Sequence, residues 1–202
     1  MVILQYVIFT VLGYLLGSLN FSIIIGKLFY KTDVREHGSK NAGATNTLRI
    51  LGKTPAVLVL ILDAVKAVIA YFLTFLLTKN VTLSYIAATG AVVGHNFPVY
   101  FGFRGGKGVI TSLFAIFCIS PMVGAIALVF ALAVIAVSKF VSLGAILGAV
   151  LAVVLVFCVD PAGIKIILIC ILVVMLIFQH RANIQRLLNK TENKISFKKK
   201  DV

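Results

Sequence analysis

The chain of 202 residues is 61% apolar and only 12% charged, with a mean hydropathy of +1.11. Soluble domains are about 45–50% apolar, so these values exclude a soluble globular protein and predict an integral membrane protein. The net charge of +13 comes without the aromatic-interleaved basic patches typical of nucleic-acid binding, so we expect anionic partners at a membrane and no nucleic acid.

Six runs with few or no charges follow one another along the chain. Five have the length of a single membrane span, which needs about 20 apolar residues. The fourth run is longer and is either one strongly tilted helix or two short ones. The first has neither a basic leader nor a cleavage site, so we expect it to be retained as a span. The runs are 1–26, 55–78, 81–101, 109–138, 140–159 and 161–179.

The basic residues predict the orientation, because they accumulate in short cytoplasmic loops. If residues 31–53 are cytoplasmic, a single span over 109–138 would place the basic tail outside the cell. A break near Pro121 and Gly124 returns the tail to the cytoplasm and places sixteen of the 19 basic residues there. We therefore predict an all-α integral membrane protein. It has seven transmembrane helices, the amino terminus outside and the carboxyl terminus cytoplasmic.

This topology brings three polar segments, 31–53, 94–108 and 180–194, to the cytoplasmic face, where they can form one site. Residues 1–202 are expected to be a single domain. Residues 193–202 form a basic cytoplasmic tail, in which Lys198 to Lys200 are expected to contact lipid headgroups.

The first polar segment contains EHGSKNAGATNTLR, a dense set of hydrogen-bond donors around glycines. Such glycines let backbone N–H groups approach an anion, and an arginine suits phosphate. A solvated loop is the alternative. The candidate ligands are Ser39, Asn41, Gly43, Thr45, Asn46 and Arg49.

The second polar segment, GHNFPVYFGFRGGKGV, leads into an apolar run through a Gly-Gly-Lys-Gly turn. Backbone donors, a helix N-terminus and the Lys107 ammonium would meet there. A P-loop is excluded because Phe101 and Gly108 stand where its glycine and its hydroxyl residue are required. A tight interhelical turn is the alternative, but it leaves Lys107 unexplained. The candidate site residues are His95, Gly105, Gly106, Lys107 and Gly108.

In the third segment, HRANIQRLLNKTEN, the spacing of His180, Asn183 and Arg186 places them on one helical face. Within the second span, Asp63 and Lys66 are three residues apart. We interpret them as a structural ion pair that supports the site, with direct catalysis as the alternative.

The three segments resemble the signature motifs of the bacterial acyl-phosphate:glycerol-3-phosphate acyltransferases, and LDAVK in the second span resembles another segment of that family. The motifs are GSKNAGATNTLR, GHNFPVYFGFRGGKGV, and HRANIQRL followed by Thr191 and Glu192. The chain departs from the family at Lys40 and Lys190, where glycine is common.

The resemblance implies acyl transfer from acyl phosphate to the 1-hydroxyl of glycerol 3-phosphate at the bacterial cytoplasmic (inner) membrane, without metal or cofactor. We expect no protein partner to be required. We expect Lys107, the glycine turn and Ser39 to hold the acyl phosphate, and Arg49, Asn183 and Arg186 to position glycerol 3-phosphate. Either His180 or a substrate phosphate is the general base. Glu192, Asp63 and Lys66 would support these ligands. The alternative hypotheses are a transporter of a phosphorylated solute and a non-catalytic scaffold.

Overall fold

The computed structural model describes residues 2–195, and this part of the chain consists of ten α-helices, one short 3-10 turn and no strand. It forms two compact units, covering described residues 2–115 and 116–195. Lys198 to Lys200 and most of the predicted tail lie outside the described residues. The helices are α1 (Val2–Gly17), α2 (Phe21–Tyr30), α3 (Ala44–Leu51), α4 (Lys53–Thr78), α5 (Val81–Asn96), α6 (Val109–Ile119), α7 (Pro121–Ser138), α8 (Val141–Val159), α9 (Gly163–Gln179) and α10 (Arg181–Leu188).

Four stretches are long and apolar enough to cross a membrane: Val2–Tyr30, Lys53–Thr78, Pro121–Ser138 and Val141–Val159. A fifth results if α9 and α10, which meet at an angle of 58°, count as one bent span. The all-helical prediction is confirmed over the described residues. Seven crossings and their orientation remain predictions, since α5 and α6 are shorter than a usual span.

The predicted break in the fourth run is present at Pro121. Helix α6 ends at Ile119 and α7 begins with this proline, whose missing N–H is not needed in a first helical turn. Gly124 lies inside α7, where a Cβ would come within 2.9 Å of the Phe117 ring. The proline therefore marks the break, whereas the glycine serves packing.

A second break, between α1 and α2, was not predicted. Asn20 caps α2 there, because its Oδ1 accepts a hydrogen bond from the Ile23 N–H at 3.2 Å. The Nδ2 of Asn20 donates to the Ala42 carbonyl at 3.3 Å. The break therefore also anchors the first polar segment.

In the first unit, α1 packs on α5 through small residues that allow the two backbones to approach closely. A Cβ at Gly13 would overlap the backbone of Ala87, and a Cβ at Gly17 would overlap the backbone of Ala91. The Tyr14 hydroxyl donates to the Phe97 carbonyl at 2.8 Å, just beyond the end of α5. This packing fixes the C-terminal end of α5, where the second polar segment begins.

In the second unit, α8 packs against both α7 and α9. Gly144 faces Ala131 and Ile135 of α7 closely enough that a Cβ would clash with them. The Ile195 N–H donates to the Lys139 carbonyl between α7 and α8 at 2.8 Å. The third polar segment therefore lies at the α7–α8 end of this unit.

Both departures from the resembled family adopt the left-handed backbone conformation that favours glycine. The φ angle is +56° at Lys40 and +58° at Lys190. Lys190 follows α10 in a Schellman motif, in which the Thr191 N–H bonds the Arg186 carbonyl at 2.8 Å and the Lys190 N–H bonds the Leu187 carbonyl at 3.1 Å. Lysine thus keeps the turn geometry of a glycine at a conformational cost.

We expect Lys190→Gly to stabilise the protein by about 1 kcal/mol, because glycine adopts positive φ without the clash of a Cβ. Thermal unfolding in detergent measures the effect. Gln185→Gly, inside α10, is the matched control and is expected to destabilise the protein by about 1 kcal/mol. Equal destabilisation by both substitutions would contradict the role of the turn.

Candidate active site

The first polar segment is built around the buried side chain of Asn46. Its Oδ1 accepts a hydrogen bond from the Ser39 N–H at 2.8 Å, and its Nδ2 donates to the carbonyls of Val34 and His37 at 2.8 and 3.1 Å. Both amide donors are therefore occupied by the loop, and the residue is 0% exposed. This favours a supporting role for Asn46 over the direct phosphate contact predicted from the sequence.

The other predicted ligands of this segment are more accessible. Gly43 caps α3, and its N–H donates to the Asn41 carbonyl at 3.1 Å. Ser39 and Arg49 are exposed, while Asn41 and Thr45 are partly buried. Their side chains can therefore reach a ligand at the surface of the first unit.

Arg35 connects the first segment to the second, a contact that sequence reasoning missed. Asp33 accepts bonds from the Arg35 Nε and Nη2 at 2.9 and 2.7 Å, while Nη1 donates to the carbonyls of Phe101 and Arg104 at 2.8 and 3.0 Å. The hydrogen bonds from Arg35 hold the pKa of Asp33 well below its usual range, and they outweigh the raising effect of burial. The Arg35 guanidinium thus holds residues 101–104, which precede the glycine turn.

The glycine turn, residues 105–108, leads directly into α6, as predicted. The N–H groups of Gly105 and Gly106 donate to the carbonyls of Asn96 and His95 at 3.2 and 3.1 Å. A Cβ at Gly106 would overlap the His95 ring and lie 2.5 Å from the Ala42 carbonyl oxygen. Lys107 is partly buried between these glycines. The glycines are therefore required for close backbone approach, not only for turning.

Asn96 lies beneath the turn and was not predicted as a site residue. It is 2% exposed, and within residues 2–195 neither its Oδ1 nor its Nδ2 has a hydrogen-bond partner. A Cβ at Gly108 would lie 2.5 Å from the Asn96 Oδ1. Buried amides are normally paired, so this one marks a polar position under the turn. Its place after His95 in GHNF was the available sequence signal.

Asp63 and Lys66 form the predicted ion pair, and His95 joins it. The Lys66 ammonium lies 2.9 Å from the Asp63 Oδ1 and 2.7 Å from the His95 Nδ1, and it donates to the Leu19 carbonyl at 3.3 Å. All three residues are at most 4% exposed. The ion pair therefore lies directly behind the glycine turn, where it supports His95.

In the second unit, Glu192 organises the third polar segment. Its Oε1 accepts bonds from the Ser142 hydroxyl at 2.9 Å and the Asn183 amide at 2.7 Å, and its Oε2 accepts from the Arg186 Nε at 2.7 Å. Burial alone would raise the pKa of Glu192, but these hydrogen bonds lower it below its ordinary value. Asn183 and Arg186 therefore share one face of α10, as the spacing predicted.

His180 lies at the junction of α9 and α10 and is 3% exposed. Its Nδ1 is 2.8 Å from the Leu176 carbonyl oxygen, which only accepts hydrogen bonds. The proton of the neutral ring is therefore on Nδ1, and Nε2 carries the lone pair. A lone pair on Nε2 suits a general base.

We expect Gly106→Ala to lower the thermal unfolding temperature, because the new methyl group would displace His95 or the Ala42 carbonyl. Overpacking of this kind costs about 1–3 kcal/mol. Gly163→Ala is the control, since nothing lies within 4 Å of its Cβ position. Tolerance of both substitutions would show that the turn is not closely packed.

We expect Glu192→Gln to destabilise the protein by about 1–3 kcal/mol at pH 7, because a neutral amide cannot accept three donated hydrogen bonds. The folded-state pKa of Glu192 is lowered, so its stabilisation is present above the unfolded pKa of about 4.3 and is lost as the pH falls through the folded value. The difference between wild type and variant should therefore shrink below about pH 4. Thermal unfolding across pH 3–7 measures it, with the exposed Glu36→Gln as control.

The known proteins that this chain resembles are described as glycerol-3-phosphate acyltransferases. A family model described as glycerol-3-phosphate acyltransferase matches residues 7–190. A glycerol-3-phosphate acyltransferase from Halalkalibacterium halodurans is 46% identical over 194 residues, covering 93% of this chain and 94% of the relative. Another from Thermoanaerobacter pseudethanolicus is 44% identical, covering 96% and 98%.

The fold also matches a solved structure. The crystal structure of PlsY (YgiH), an integral membrane glycerol 3-phosphate acyltransferase, in its glycerol 3-phosphate form, aligns with a TM-score of 0.88 and 33% identity over 95% of this chain and 96% of that chain. Its lysophosphatidic acid form aligns with a TM-score of 0.85. Together with the apolar helices, this match identifies a multi-pass membrane protein. The chain belongs to the glycerol-3-phosphate acyltransferase family.

Proposed function

We propose that this acyltransferase uses acyl phosphate as its donor and transfers the acyl group to the 1-hydroxyl of glycerol 3-phosphate. The products are lysophosphatidate and inorganic phosphate, and the reaction is the first step of phospholipid synthesis. Burying the acyl chain away from water is favourable by about 0.8 kcal/mol per CH₂. This gain accounts for an enzyme that lies within the membrane.

The observation that carries the donor assignment is the glycine turn with Lys107 at the start of α6. The Gly105 and Gly106 N–H groups bond the carbonyls of Asn96 and His95, so the features suited to a phosphoryl group here are the Lys107 ammonium and the positive end of the α6 dipole. Acyltransferases that use thioesters carry an aspartate five positions after a histidine. Ala42, Tyr100 and Gln185 stand at these positions here. An acyl phosphate is already a mixed anhydride and needs no enzyme nucleophile.

The proposed step is direct displacement. The 1-hydroxyl oxygen attacks the acyl carbonyl carbon, a new C–O ester bond forms, and the bond to the phosphate oxygen breaks. The hydroxyl proton passes to the His180 Nε2 or to a substrate phosphate, and phosphate leaves with the electron pair. The Nδ1–H tautomer of His180 supports the first route.

The proposed ligands follow from donor type and from the motifs in the sequence. Lys107, the glycine turn and Ser39 hold the acyl phosphate and stabilise the charge that develops on it. Arg49, Asn183 and Arg186 position glycerol 3-phosphate. Asn41, Gly43 and Thr45 add donors at the first segment, and His95 contributes at the turn. Asn46, Asp63, Lys66 and Glu192 support these ligands.

We further propose that the reaction takes place at the cytoplasmic face of the bacterial inner membrane, without metal, cofactor or obligatory protein partner. The distribution of basic residues supports this orientation. Within the first unit Arg35 links the first two polar segments, and within the second unit Ile195 links the third segment to Lys139, so each unit keeps its polar segments together.

The test is an assay of purified protein in detergent or bilayers with glycerol 3-phosphate and either palmitoyl phosphate or palmitoyl-CoA. We expect lysophosphatidate from the acyl phosphate alone, loss of turnover by at least about 100-fold in Lys107→Ala, and normal turnover in Lys79→Met. Near-normal turnover of His180→Ala would assign the general base to a substrate phosphate. Production of lysophosphatidate from palmitoyl-CoA alone would refute the donor assignment, and binding of glycerol 3-phosphate without product would favour a transporter.

A further inference from the structure

The buried ammonium of Lys66 determines the protonation of His95. A lysine ammonium has three N–H donors and no acceptor. Its three neighbours here are the Asp63 Oδ1 at 2.9 Å, the His95 Nδ1 at 2.7 Å and the Leu19 carbonyl oxygen at 3.3 Å. Each neighbour must therefore accept one hydrogen bond, and the His95 Nδ1 must present its lone pair.

The other protonation states of His95 conflict with this geometry. A proton on Nδ1 would point one donor at another across 2.7 Å, and a doubly protonated ring would add a second positive charge there. The Asp63 Oδ1 lies 3.5 Å from Nδ1, whereas the Lys66 ammonium lies 2.7 Å from it and is the nearer neighbour. The neutral ring with its proton on Nε2 is the state that satisfies all three groups.

The His95 Nε2 then lies against the glycine turn. This nitrogen lies against the Cα of Gly106, close to the Ala42 carbonyl, so it sits where the first and second polar segments meet. The hydrogen bonds of the His95 ring within residues 2–195 use Nδ1 alone. An N–H at this position can donate to an acceptor that binds at the turn, and hydrogen bonds to a charged acceptor are stronger than those between neutral groups.

We propose that the His95 Nε2–H is a fixed hydrogen-bond donor to a phosphoryl oxygen of a bound substrate, and that Asp63 and Lys66 are positioning residues that impose this tautomer. The inference rests on the proposed function in that both substrates and the released product carry phosphate. It adds a defined donor atom and assigns a purpose to an ion pair buried inside an apolar helix.

The tautomer can be read directly by nitrogen-15 NMR of histidine-labelled protein in lipid bilayers. His37 is exposed and can be replaced by glutamine, which leaves two rings. We expect His180 to show a protonated Nδ1 and His95 a protonated Nε2 at neutral pH. His95→Gln identifies the second signal. A protonated Nδ1 on His95 in the otherwise unaltered protein would overturn the proposal.

Two variants test whether the ion pair acts through the tautomer. In Lys66→Met, Asp63 remains near the His95 Nδ1 and should draw the proton onto it, with turnover reduced about tenfold. In Asp63→Asn/Lys66→Met, the new amide at position 63 can donate to Nδ1, which should restore the Nε2–H tautomer and part of the turnover. If turnover only follows thermal stability and the tautomer never changes, the pair is merely structural and the proposal fails.

The source of the phosphate is resolved by adding ligands to the labelled wild-type protein. A shift of the His95 Nε2 signal with glycerol 3-phosphate assigns the donor atom to the acceptor substrate, and a shift with an acyl phosphonate assigns it to the acyl donor. A shift with inorganic phosphate supports the proposal for either site, whereas no shift with any of the three contradicts it. Failure of acyl-phosphate turnover with the tautomer and a ligand shift intact would count against the proposed donor alone.

Discussion

The buried Lys66 ammonium is the constraint on which the first unit depends. A charge at the centre of a membrane-spanning helix costs about 2.5–3.5 kcal/mol unless it is paired. Its partners come from the α1–α2 break, from α4 itself and from the end of α5, so these three segments must converge on one point. They can do so because glycines and alanines let α1 and α5 pack at close range. Removing one partner would leave an uncompensated buried charge.

The two buried histidines differ in which ring nitrogen carries the proton. The His180 Nδ1 faces a carbonyl oxygen, so this ring offers a lone pair at Nε2. The His95 Nδ1 faces an ammonium, so under our proposal this ring offers a proton at Nε2. Acyl transfer to a hydroxyl needs both a proton acceptor and donors for the developing charge. In each case the group behind Nδ1, and not the ring itself, determines what Nε2 can do.

Each polar segment is held in place by one side chain whose hydrogen bonds go to other protein groups. Asn46 ties the first loop to its own carbonyls, Arg35 ties that loop to the entry of the glycine turn, and Glu192 aligns Asn183 and Arg186 on α10. Phosphate ligands on loops lose affinity when they must be ordered on binding. Supporting residues of this kind order them beforehand, which explains why the polar segments contain more polar residues than two small phosphates require.

The sequence alone determined the features that arise locally. Hydropathy predicted the helical membrane fold, and Pro121 predicted the break between α6 and α7. Residue types predicted the three polar segments and most candidate ligands. Only the tertiary structure decided which polar groups bond within the protein. Asn46 bonds its own loop, the Asn96 amide has no hydrogen-bond partner within residues 2–195, and Lys66 meets a histidine 29 positions away. Such contacts depend on how closely two helices pack, which is a property of their joint surface and has no local sequence pattern.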